Sequence, residues 1–156
     1  AQLVGVARPD LCEKMGRVLQ SLGLRRGIIV SGAISHGAGE VSHFDEFSTL
    51  GDNTVAEFYK SRAFAVSTVS ADQFPGQGAV LADLRGGDAQ ENAGIVRRIL
   101  HGDERGPKRD AVLLNAAAAF YVAGRVKSFT EGWDRAGELI DGGTAGAKLD
   151  ELIAGQ

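Results

Sequence analysis

The sequence predicts an α/β protein, with a mixed, mainly parallel sheet and flanking helices. Three observations carry that reading. An apolar run, an amphipathic stretch and a second apolar run follow one another within about 30 residues, the pattern of a βαβ unit. Two β-rich runs then lie on either side of a three-residue turn, Lys60-Ser61-Arg62. Beyond residue 88 the chain carries two helix-capping boxes around a long apolar helix.

Leu3 to Ala7 is the first apolar run and reads as a short buried strand. Pro9-Asp10 opens a helix, because proline's fixed φ and missing N–H suit a first turn. Leu11, Met15, Val18, Leu19 and Leu22 recur along it at helical spacing, and Gly23 suits the position just past its end. Gly27 to Val30 is the second strand. A crossover of this length is parallel and right-handed.

Ser31 to Asn53 is polar and studded with glycine, and Ser31 to Ser42 is expected to be a loop. Thr54–Tyr59 and Ala63–Val69 then form two strands of a hairpin. From residue 70 onward the chain reads as helical. Asp88-Ala89-Gln90-Glu91 caps a helix running to about Leu100, before His101-Gly102. Pro107 precedes a helix from about Lys108 to Ala123, closed by Gly124 and apolar almost all round, so it belongs inside the protein. Ser128-Phe129-Thr130-Glu131 opens a helix toward Ile140; Gly142-Gly143 breaks it, and a short helix ends near Ile153. No repeat or low-complexity linker divides the chain.

The 156 residues are enough for one hydrophobic core. Lys and Arg number 17 against 20 Asp and Glu, a net charge of −3, which argues against a general polyanion-binding surface. A single cysteine, Cys12, excludes an intramolecular disulfide framework and fits a reducing compartment. Its place on an amphipathic helix makes it a packing residue rather than a nucleophile. No signal peptide and no apolar run of about 18 residues is present, so a cytoplasmic protein is expected. The chain enters a strand directly from Ala1 without an initiator Met, and is expected to be part of something longer.

Asp45-Glu46 is the leading candidate site. Two adjacent carboxylates after a buried strand suit a hard divalent cation, the usual handle on a phosphate or pyrophosphate. The alternative is a solvated acidic turn, the ordinary fate of an Asp-Glu dipeptide. Arg85-Gly86-Gly87-Asp88 has the glycines of a phosphate cradle, but a carboxylate at the N-cap takes up the free N–H groups and repels an anion. Asp110 suits the first turn of its helix, beside Arg109. Asn115, an amide on an apolar helix, is expected to tie down a neighbouring loop. His36, His43 and His101 have no metal-ligand spacing. No Walker loop, Gly-x-Ser-x-Gly elbow or paired-cysteine motif occurs.

Three segments together are far more specific than any one. They are His43-Phe44-Asp45-Glu46 followed by Thr54-Val55-Ala56-Glu57-Phe58; Leu84-Arg85-Gly86-Gly87-Asp88 with Glu91-Asn92-Ala93; and Arg109-Asp110-Ala111-Val112-Leu113-Leu114-Asn115-Ala116-Ala117-Ala118, continuing to Tyr121-Val122-Ala123-Gly124. In this order and spacing they resemble the C-terminal half of the anthranilate phosphoribosyltransferase family, and Gln2-Leu3-Val4-Gly5-Val6 resembles the strand at which that half begins.

The resemblance implies a fold of the nucleoside phosphorylase/phosphoribosyltransferase type, here incomplete, with residues 1–156 as the C-terminal part of the α/β domain. It also implies a reaction: the amine of anthranilate displaces pyrophosphate from phosphoribosyl pyrophosphate, giving phosphoribosyl anthranilate in tryptophan synthesis. In that family an acidic pair matching Asp45 and Glu46 binds Mg²⁺, which stabilises charge on the leaving group. The family usually has Gly-Leu where this chain has His43-Phe44, often has His where it has Ser31, and has a shorter loop over 31–42. Its N-terminal helical domain, glycine-rich phosphoribosyl pyrophosphate loop, Lys-His-Gly-Asn segment, anthranilate-binding arginine and usual homodimer interface all precede the matched region. This chain alone is therefore expected to be inactive, with no anthranilate-contacting residue assignable and Asp88, Arg109, Asp110 and Asn115 structural. Two rivals on related scaffolds are a non-enzymatic nucleic-acid binder, which the charge disfavours, and a nucleoside phosphorylase-like enzyme, which the acidic pair disfavours.

Overall fold

The computed structural model describes residues 1–36, 40–76 and 78–155. A βαβ unit opens the chain: β1 (Gln2–Gly5), α1 (Asp10–Ser21) and β2 (Arg26–Ser35), with β1 and β2 parallel and Leu3 opposite Ile28. The ladder runs one residue past β1, where the Val6 N–H donates to the Val30 carbonyl at 2.9 Å. β4 (Asn53–Tyr59) and β5 (Ala63–Val69) form the expected hairpin, and Lys60 makes its turn with a positive φ of 53°.

The loop expected over 31–42 is corrected at both ends. β2 runs five residues beyond Val30 to Ser35, and the chain folds back as β3 (Val41–Phe44), pairing Gly32 with Phe44 and Ser35 with Val41. Small side chains at Ser31, Gly32 and Ala33 let this polar-looking stretch lie between neighbours on both edges; Gly32 pairs with Phe44 on one side and Asn53 on the other. Beyond it, the His36 N–H donates to the Glu40 carbonyl at 3.1 Å. Residues 37–39, the middle of the unusual 31–42 segment, lie outside the described residues.

The sheet is mixed, but its balance differs from expectation. Its order is β1-β2-β4-β5, with β3 also on β2. Among the described residues, only the β1–β2 pairing is parallel; β2–β3, β2–β4 and β4–β5 are antiparallel. After one crossover the described strands are joined by hairpins or by direct return, and these reverse direction.

β2 is covered on both faces, which accounts for its unbroken apolar run. Ile29 packs with Val6, Cys12, Ala56 and Phe58 under α1. Ile28 and Val30 face the larger core, with Phe47, Val55 and the helical layer. That layer comprises α2 (Ala89–His101), α3 (Pro107–Val122), α4 (Phe129–Asp141) and α5 (Thr144–Ala154). Leu113, Leu114, Ala117, Ala118 and Val122 of α3 are buried, as its apolar circumference required.

Helix does not begin at residue 70. Among the described residues between 70 and 88, the only helical structure is two 3-10 turns, at Ala71–Gln73 and Leu81–Leu84. Pro75, Gly76, Gly78, Gly86 and Gly87 punctuate the segment too closely for a longer helix to propagate. Both capping residues act as expected: Asp88 accepts from the Glu91 N–H at 2.9 Å, and Ser128 Oγ from the Glu131 N–H at 3.1 Å. Among the described residues, no helix is long and apolar enough to cross a membrane.

Candidate functional site

The acidic pair sits where two strands meet end to end along one edge of β2. β1 finishes with Gly5 opposite Val30, and β3 arrives from the other direction with Phe44 opposite Gly32. Asp45 and Glu46 leave the sheet at this junction. They therefore flank the carboxyl end of β1 rather than the end of β2, whose extension carries it past them.

Two close approaches seat the loop. A Cβ on Gly5 would overlap the Asp45 carbonyl, and a Cβ on Gly32 would overlap the Glu46 carbonyl and crowd Ser48. Only glycine allows the backbone of the pair to lie so flat on the strands.

Beyond the pair, two asparagines hold two successive residues. The Phe47 N–H donates to Asn115 Oδ1 at 3.0 Å, and Asn115 Nδ2 donates to the Phe47 carbonyl at 2.9 Å and to the Ala111 carbonyl at 3.0 Å. The Ser48 N–H donates to Asn53 Oδ1 at 2.7 Å, and Asn53 Nδ2 returns a bond to the Ser48 carbonyl at 3.0 Å. Each amide satisfies both backbone polar groups of one buried residue. Phe47 is 1% exposed and stands edge-on to Phe129, centroids 5.4 Å apart.

The carboxylates themselves are left alone. Asp45 and Glu46 are exposed, and among the described residues neither side chain enters a hydrogen bond or ion pair. Glu46 borders a groove of about 710 Å³ between α2 and α3, with walls from Phe44, Leu84, Ile95, Val96, Ile99 and Val112. Partial burial against this wall, and then the charge of Asp45, push the Glu46 pKa above its ordinary value of 4.5. A second concavity, of about 690 Å³, lies between Phe120 and Leu139 and includes neither acid.

Among the described residues no group of three or more His, Cys, Asp or Glu could by itself hold a metal ion. Two unengaged carboxylates without a third protein ligand do fit Mg²⁺. That ion keeps several waters and is held by one or two carboxylates together with phosphate oxygens of a substrate.

The remaining candidates have structural work. Asp88 caps α2, and Asn92 clamps the turn before it: the Gly87 N–H donates to Asn92 Oδ1 at 2.9 Å, and Asn92 Nδ2 donates to the Gly87 carbonyl at 3.0 Å. Arg109, 8% exposed, donates to Asp141 at 3.0 Å and joins α3 to α4, while Asp110 is buried in the first turn of α3. His36 meets Ser42 Oγ at 2.6 Å, and His101 pairs with Asp150 at 3.3 Å. Cys12 is fully buried against the Thr54 carbonyl, and burial raises its thiol pKa to about 11, so it is a packing residue. Sequence reading missed Asn53, Asn92, Gly5 and Gly32. A polar amide opening the strand at Asn53 was the one visible signal.

The scaffold is a mixed α/β sheet under a helical layer, with two acids at the carboxyl end of β1. Residues 1–146 match the model of the glycosyl transferase family, a/b domain, and the chain belongs to that family. It resembles anthranilate phosphoribosyltransferases throughout. That of Geobacter sp. (strain M21) is 42% identical over 153 residues, covering 98% of this chain and 41% of the relative. That of Geobacter sulfurreducens is 41% identical over 152 residues, covering 97% of this chain and 41% of the relative. The solved enzyme of Thermus thermophilus superposes with a TM-score of 0.77 at 35% identity, over 96% of this chain and 41% of that one. The Saccharomyces cerevisiae enzyme, in complex with phosphoribosyl pyrophosphate and Mg, shares the fold with a TM-score of 0.80 at 22% identity, over 97% of this chain and 41% of that one. The chain thus spans about two fifths of the length of the relatives it matches.

Proposed function

We propose that residues 1–156 are the C-terminal part of the α/β domain of an anthranilate phosphoribosyltransferase, and that Asp45 and Glu46 are its Mg²⁺ ligands. The complete protein would transfer the phosphoribosyl group of phosphoribosyl pyrophosphate to anthranilate, in the cytoplasm, as a step of tryptophan synthesis. The observation that carries this reading is a pair of unengaged carboxylates on a rigidly held backbone at the carboxyl end of β1. The relatives' names supply the reaction, and one relative was solved with phosphoribosyl pyrophosphate and Mg.

Within this reading Asp45 and Glu46 would hold the ion from the protein side. When bound, the ion supplies Lewis-acid stabilisation of charge on the departing pyrophosphate. The chain's own contribution is positional. Gly5 and Gly32 bring the loop onto the strands, and the amides of Asn115 and Asn53 fix its exit. The apolar α2–α3 groove borders Glu46 on one side.

The full-length protein carrying these residues should convert anthranilate and phosphoribosyl pyrophosphate in a Mg²⁺-dependent assay. The Asp45→Asn, Glu46→Gln variant should lose that dependence and activity while keeping its circular dichroism. Unchanged activity at every Mg²⁺ concentration would refute the ligand assignment. The 156-residue chain alone should give no turnover with the same reagents, and measurable product would refute the need for the rest of the domain.

A further inference from the structure

We infer that Asn115 is a positioning residue for the acidic pair: from the buried helix α3 it fixes the backbone that carries Glu46, and so presets the two carboxylates for a divalent cation. The inference rests on the metal reading proposed above and goes beyond it, because Asn115 touches neither carboxylate.

Geometry carries the argument. The Phe47 N–H that Asn115 accepts belongs to the same planar peptide unit as the Glu46 carbonyl. Fixing that N–H at one end, while Gly32 lies beneath the carbonyl at the other, leaves the plane little rotation. The bond from Asn115 Nδ2 to the Phe47 carbonyl fixes the next plane, and Asn53 fixes the Ser48 groups beyond it. A third bond, to the Ala111 carbonyl one turn back on α3, locks the Asn115 amide itself. Consecutive peptide planes after the pair are therefore held by side chains from α3 and β4. Among the described residues, the carboxylates themselves have no hydrogen-bond or ion-pair partner.

A metal held by only two protein carboxylates is sensitive to such support. Fewer ligands leave more of the affinity to preorganisation, and partners outside the coordination shell commonly change metal affinity by about 10- to 100-fold. A merely structural Asn115 would alter stability and leave affinity alone. Asn92 supplies the comparison, since it makes the same two-bond clamp on Gly87 in the other loop bordering the groove.

The test uses Mn²⁺ alone as a paramagnetic probe, titrated into the protein carrying this chain while amide line-broadening and amide hydrogen exchange are followed by NMR. Wild type should broaden residues 44–48 first. Asn115→Leu should speed exchange at the Phe47 amide and weaken Mn²⁺ binding about 10-fold. Asn115→Ser, small enough to admit a water to the two Phe47 groups, should shift binding in the same direction and guards against a leucine variant that does not fold. Asn92→Ser should leave Mn²⁺ affinity within about 2-fold at a similar loss of melting temperature. Unchanged affinity in a folded Asn115 variant overturns the inference, as does an equal loss in Asn92→Ser. If Asp45→Asn, Glu46→Gln binds Mn²⁺ as wild type does, the metal reading itself fails and this inference falls with it. Loss in that double variant beside retention in the Asn115 variants overturns the positioning role alone.

Discussion

Two loops border the α2–α3 groove, and they use the same materials to opposite ends. The loop at residues 45–48 and the loop at 85–88 each combine carboxylate, close-packed glycine and an asparagine clamp. At 85–88 the carboxylate is consumed: Asp88 accepts from the Glu91 N–H and completes a helix N-terminus. At 45–48 the clamps take up the backbone instead, through Asn115 and Asn53, and among the described residues the two carboxylates have no partner. A polar loop thus becomes a candidate site when its main chain is satisfied by partners other than its own acids. The acidic residues alone do not distinguish the two cases.

The largest effect should come from the glycines, whose close contacts differ in kind. A Cβ on Gly5 would strike the Asp45 carbonyl, which is backbone and cannot withdraw without moving the loop. A Cβ on Gly87 would strike the Glu91 carboxylate, the far end of a flexible side chain. Gly5→Ala should therefore cost about 1–3 kcal/mol or more in urea unfolding, with chemical-shift changes over 44–48. Gly87→Ala should cost less than about 1 kcal/mol, because Glu91 can turn away and alanine reduces the freedom of the unfolded chain. Equal costs would dissolve the distinction between the loops.

Next in size is the cap. Asp88→Ala removes an acceptor from the first turn of α2 and should destabilise by about 1 kcal/mol. Asp88→Asn keeps an acceptor at the same place and should restore most of that. If both variants unfold at the wild-type urea midpoint, the cap assignment fails and Asp88 becomes available for another role.

How much of this was legible in the sequence follows from the range of each interaction. The βαβ opening, the β4–β5 hairpin, both helix caps and the burial of α3 depend on neighbours a few residues apart, and the pattern of side chains records them. The continuation of β2 to Ser35 was hidden. Gly32 and Ala33 have weak strand preference, and their place is decided by β3 and Asn53 on either edge. The excess of antiparallel pairing was hidden for the same reason, since β4 is distant in sequence from the β2 register it completes. Asn115 was legible as a buried amide in need of a partner. That its partner would be Phe47, 68 residues away, required the fold.

The smallest effect, and the sharpest on the contrast between free and consumed acids, concerns Glu46 without metal. Its pKa is raised by partial burial and then by the charge of Asp45. A raised folded-state pKa means that the native protein holds its proton more tightly than the unfolded chain does. Wild type therefore loses stability as pH rises from the ordinary value of 4.5 through the folded pKa, relative to a variant that cannot ionise there. Glu46→Gln should match wild type below pH 4.5 and be slightly more stable at neutral pH, within the roughly 0.5 kcal/mol typical of exposed positions. Asp45→Asn should lower the Glu46 pKa measured by NMR without returning it to 4.5, because burial, the larger cause, remains. If Glu46→Gln instead destabilises the metal-free protein at neutral pH, the carboxylate has a structural partner and its loop belongs with residues 85–88.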